Sequence, residues 1–95
     1  MIRIIARITS RPESVAAVSQ ALAALVPPTR AEAGCISYEL FQCEATPGEF
    51  VTIESWADDA SEAAHMKSAH IAAAFATAGP LLAALPQIQR YALIA

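Results

Sequence analysis

A chain of 95 residues carrying six basic and nine acidic side chains, net charge −3, has the length of one domain, 1–95, with a core small enough that pairing is a common source of extra stability. The charges are interspersed without a basic stripe, which argues against nucleic acid as a partner, and no segment has the apolar length to span a bilayer. The opening MIRIIARITSRPE is too short an apolar run for an export signal and is interrupted by Arg3 and Arg7. Cys35 and Cys43 show no CxxC spacing and no histidine at zinc distance, so free thiols in a reducing cytoplasm are expected.

In chain order, Ile2, Ile4, Ala6 and Ile8 alternate with Arg3, Ile5, Arg7 and Thr9, the period of a strand. Ser10, Pro12 and Glu13 then combine an N-cap, a first-turn proline and a capping-box acid. Val15, Val18, Leu22, Leu25 and Val26 form the apolar stripe of a first helix, which Pro27 and Pro28 are expected to stop or kink. GCISYELFQ at 34–42 reads as a second strand and FVTIESW at 50–56 as a third, joined in a hairpin by CEATPGE. Alternation places Ile36, Tyr38 and Leu40 on one side of the second strand, with Cys35 and Phe41 on the other. Asp59 and Glu62 open a second helix that runs unbroken to about Thr77 and ends at Gly79-Pro80. LLAAL suggests a short helical turn, and QIQRYALIA a fourth strand.

The order β-α-β-β-α-β predicts an α+β, ferredoxin-like fold: a four-stranded antiparallel sheet with both helices on one face. The other face also looks apolar, and an uncovered apolar face usually meets a partner. A homodimer with two sheets face to face is the expectation.

Three stretches are distinctive: EAGCISYEL, Glu54-x-Trp56, and EAAHMKSAHI with its two histidines. Together with RPE before the first helix they resemble the antibiotic biosynthesis monooxygenase family of dimeric α/β barrels, over nearly the whole chain. Members include cofactor-independent oxygenases of quinols and anthrones, haem-degrading enzymes and an isomerase of a small sugar phosphate. The haem-degrading branch needs an asparagine late in the first strand, and a tryptophan and a histidine ten residues apart on the second helix. The matching positions here hold Arg7, His65 and Phe75, so a proximal iron ligand is missing.

What the resemblance implies is a monooxygenase that uses no cofactor and draws electrons from a small aromatic substrate to reduce dioxygen. His65 is the expected base or proton relay, with Glu54 on the underlying strand as its orienting partner. Trp56 is either a core anchor or a stacking wall for a planar substrate. Tyr38 offers a hydroxyl donor. Arg7, if it faces inward, needs Glu39, Glu54 or an anion beside it. His70 is a packing or surface group, or a further substrate contact. On a continuous helix His65 and His70 lie about 140° apart, so no shared metal site is expected. The alternatives are a non-catalytic ligand-binding, stress-associated dimer and a cofactor-free isomerase of a small metabolite.

Overall fold

A computed structural model describes residues 1–95. Its elements are β1 (Ile2–Thr9), α1 (Val15–Arg30), β2 (Cys35–Gln42), β3 (Glu49–Trp56), α2 (Asp59–Met66), α3 (Ala69–Ala78) and β4 (Gln87–Tyr91), with single 3-10 turns at Pro12–Ser14 and Gly79–Leu81. The strands form one antiparallel sheet in the order β2-β3-β1-β4, the α+β ferredoxin-like arrangement. Inward residues follow the strand period: Ile4, Ala6 and Ile8 from β1, and Phe50, Thr52, Glu54 and Trp56 from β3, are all buried. Val18, Leu22 and Leu25 of α1 and Ile71 and Ala74 of α3 close over them as the main core.

Three local expectations need correction, and a fourth is narrowed. Pro27 and Pro28 do not stop α1, which runs on to Arg30. The carbonyls that lose their donors belong to Ala23 and Ala24, both exposed, so water can take the place of the missing N–H groups. The Ser10–Glu13 capping box does not form. Ser10 is instead buried, bridges to Leu82 and turns its hydroxyl onto the Arg11 carbonyl, while a 3-10 turn leads into the helix. On β2 the register slips between Cys35 and Ser37. This bulge turns Ile36 outward, 58% exposed, and puts Cys35 beside the buried Ile4–Tyr38–Trp56 cluster. The second helix is broken into α2 and α3 at Lys67–Ser68.

The sheet face away from the helices presents Ile5, Val51, Ile53, Phe41 and Tyr91, with Arg3 and Arg7 among them. Phe41, Ile53 and Tyr91 are exposed.

Candidate functional site

The break in the second helix sets the geometry of everything around it. Asp58 caps α2, accepting from the Ser61 N–H at 2.8 Å and the Ser61 hydroxyl at 2.7 Å. Those bonds hold the Asp58 carboxyl below the usual carboxylate range. At the other end, Ser68 donates its hydroxyl to the His65 carbonyl at 2.6 Å and accepts from the Ile71 N–H at 3.3 Å. One serine thus closes α2 and caps α3, the competition with helical bonding that serine side chains offer. His65 falls in the last turn of α2 and His70 in the first turn of α3, so the 140° separation expected of a continuous helix does not apply.

Both histidines reach one carboxylate. His65 Nδ1 lies 2.7 Å from Glu32 Oε2, and His70 Nε2 lies 2.9 Å from the same oxygen. Glu32 sits in the turn between α1 and β2, and its neighbour Gly34 explains why the turn can come so close. A Cβ there would overlap the Ser61 side chain in the first turn of α2. Only glycine lets this segment and α2 approach, and Gly34 also offers its carbonyl to the Ala57 N–H at 2.9 Å.

His65 is 2% exposed. Its ring lies against Trp56, centroids 4.6 Å apart, with Tyr38 at 5.5 Å on another side. Glu54, expected as its partner, is engaged elsewhere. Its two oxygens accept from the Thr52 hydroxyl at 2.7 Å and from Trp56 Nε1 at 2.9 Å. The strand period puts these three side chains on one face of β3, where they satisfy one another. Tyr38 stands opposite Glu54 in the β2–β3 register. Burial foremost, then the Glu54 charge, pushes its phenol well above the usual range, so the hydroxyl stays a neutral donor. Burial likewise raises the Cys35 thiol, with Glu32 adding to it, and both cysteines are free.

Between sheet and helices lies a cavity of about 40 Å³, lined by Tyr38, Thr52, Glu54, Glu62 and His65 among twelve apolar side chains. Roughly 10–15 Å³ by this measure holds one water, so there is room for a few waters and not for a fused ring system. Met66, Phe75 and Ile88 form a half-open rim. On the same flank Arg90 of β4 clasps α2, through Asp59 at 2.7 Å and Glu62 at 3.5 Å.

The structure therefore brings His65, Glu54 and Tyr38 to one cavity. Trp56 supports that cavity from behind His65 and is not in its lining. Arg7 lies apart: it points to the open sheet face, 59% exposed, and pairs with Glu49 at 3.0 Å rather than with Glu39 or Glu54. His70 is outside the cavity as well. Glu32 is the residue whose role the sequence reading did not assign. It belongs to the distinctive EAGC stretch, and an acid fixed beside a required glycine was the available signal.

A family model described as antibiotic biosynthesis monooxygenase matches residues 1–77. The chain belongs to that family. Among its relatives, Rv0793 of Mycobacterium tuberculosis, provisionally named a monooxygenase, is 37% identical over 81 residues, covering 85% of this chain and 79% of the relative. The solved structure of Rv0793 superposes with a TM-score of 0.90 at 32% identity, over 99% of this chain and 95% of that one. PA3566 of Pseudomonas aeruginosa superposes with a TM-score of 0.92 at 35% identity, over 99% and 94%. No helix of this protein is long and apolar enough to cross a membrane.

Proposed function

We propose that this protein is a cofactor-independent monooxygenase of an electron-rich aromatic substrate, of the quinol or anthrone type, with His65 as its base. The observation that carries this reading is the placement of His65. Its ring borders an apolar cavity, and Glu32 occupies Nδ1 at 2.7 Å. A carboxylate accepting from Nδ1–H leaves the lone pair on Nε2, the orientation a general base requires.

An anthrone offers an acidic ring methylene as the site of attack. Nε2 takes a proton from the ring methylene, and the carbanion gives one electron to dioxygen. Carbon radical and superoxide join as a peroxide. The proton held on Nε2 returns to the peroxide, freeing the base, and loss of water with the second methylene hydrogen leaves a ketone. One oxygen atom enters the product and the other becomes water, all four electrons coming from the substrate. The neutral Tyr38 hydroxyl is suited to stabilise the oxygen on which the anion's charge collects, and the apolar walls keep bulk water from competing. Glu54 holds Trp56, and Trp56 backs the base. A bicyclic or tricyclic substrate enters by separation of α2 and α3 from β4, at the rim of Met66, Phe75 and Ile88.

The protein acts as a homodimer joined through the open sheet face, where Ile5, Val51, Ile53 and Phe41 would be covered. Ile53→Glu is expected to give monomers by sedimentation, and an unchanged dimer would refute this interface.

Family membership and the Glu32 contact at Nδ1 of His65 support the oxygenase reading. One observation favours a second, a cofactor-free isomerase of a small metabolite: the present cavity volume of about 40 Å³. Dioxygen uptake by the purified, metal-free protein decides between them, measured against a panel of hydroquinones and anthrones. Saturable uptake with one ketone formed per dioxygen supports the oxygenase. Uptake at the uncatalysed rate across the panel moves the reading to the isomerase or to a non-catalytic ligand-binding dimer.

A further inference from the structure

The Glu32–His65–His70 cluster has a chemistry of its own. Two imidazole nitrogens and a carboxylate oxygen lie within 4.8 Å of one another, contributed by the turn after α1, the last turn of α2 and the first turn of α3. Neither Glu32 nor His70 lines the cavity. The cluster lies on the other flank of His65, where the Glu32 and His70 side chains are 18% and 23% exposed, open enough for an ion to enter. Both rings aim a nitrogen at one point, the Oε2 atom of Glu32.

We propose that Glu32, His65 and His70 form a binding site for one divalent first-row transition ion, with zinc as the representative. Imidazole and carboxylate are the donors such ions take, and three protein ligands leave a further position to solvent. Metal bonds of roughly 2.0–2.2 Å replace the two hydrogen bonds, with a small withdrawal of the Glu32 carboxylate. Each ring binds the ion through the nitrogen that faces Glu32 and carries a proton on its other nitrogen. For His65 that other nitrogen is Nε2. If the proposed base role holds, and this consequence rests on it, a bound ion blocks the lone pair and inhibits turnover.

The test reads binding directly and so does not depend on turnover. The full chain is titrated calorimetrically with zinc chloride, and cobalt(II) is added separately to record its visible absorption. One ion per chain is expected, with ligand-field bands and no thiolate charge-transfer band from Cys35. His70→Ala, at a partly exposed position, and Glu32→Gln should each weaken binding at least tenfold, a loss comparable to that seen on removing even an outer-shell partner. Circular dichroism would establish that both variants are folded. Absence of uptake, unchanged affinity in both variants, or a thiolate band would overturn the site. A protein that takes up zinc and never consumes dioxygen would leave the site standing and count against the base alone.

Discussion

The two ends of the helix–sheet interface are built on different principles. At one end Ala6, Ile8, Val18, Leu22, Leu25 and Phe50 pack as one apolar cluster. At the other, Ile4, Tyr38 and Trp56 share their space with His65, Glu54 and Thr52, all buried. The first needs only volume and periodicity. The second must answer for each buried donor and acceptor, since an unpaired one costs about 1–3 kcal/mol. A core of ordinary hydrophobes would have been the simpler construction there. Buried polar groups that satisfy one another fix that end in one arrangement more narrowly than apolar packing would.

Breaking the apolar end should give the largest loss of stability. Phe50→Ala removes a fully buried ring and is expected to cost about 3–5 kcal/mol, read from the urea midpoint. At the polar end, Glu54→Ala leaves Trp56 Nε1 and the Thr52 hydroxyl without their acceptor, for a loss of about 2–4 kcal/mol. If it cost no more than a surface substitution, the view of Glu54 as the keystone of that network would fail. Thr29 tests the same reasoning with the opposite sign. It is fully buried in α1 and its hydroxyl has no partner. Thr29→Val keeps the shape, removes the orphan and should stabilise by about 1 kcal/mol; destabilisation would mean the hydroxyl is bonded in solution.

A smaller effect is the pH dependence set by Tyr38. Its folded-state value is raised above the ordinary 10.0, so the folded protein retains a proton that the unfolded chain releases. The contribution is complete below about pH 10 and is lost as pH rises through the folded value. Between pH 9 and 11 the wild type should therefore lose stability more steeply than Tyr38→Phe. Parallel slopes would contradict the buried, neutral phenol.

The apolar end was legible in the sequence because period two and period 3.6 are written in residues such as Ile4, Ile8, Val18 and Leu22. The four-stranded antiparallel, ferredoxin-like arrangement followed from that pattern and from connection rules. The polar end was legible in its members but not in their pairings. Glu54 was matched to His65 because both face the same space, yet Thr52 and Trp56, two residues to either side on one strand, claim it first. The Glu32 contact depends on the Ser68 break, and a serine inside an alanine-rich run is a weak stop signal in one dimension. Arg7 was ambiguous for a related reason: period two gives its face, and which face is covered is decided by the helices. The β2 bulge that turned Ile36 outward left no mark in the alternation.

On the proposed function, the polar end serves chemistry and does not only hold α2 to the sheet. His65→Gln tests it most directly, with dioxygen turnover of an anthrone and the urea midpoint measured on the same preparation. A catalytic base should be worth about 10²–10⁴-fold in rate. The expected result is a loss of that size in a protein that stays folded at neutral pH. Turnover that persists at the wild-type rate while the urea midpoint collapses would make His65 a structural tie and contradict the account.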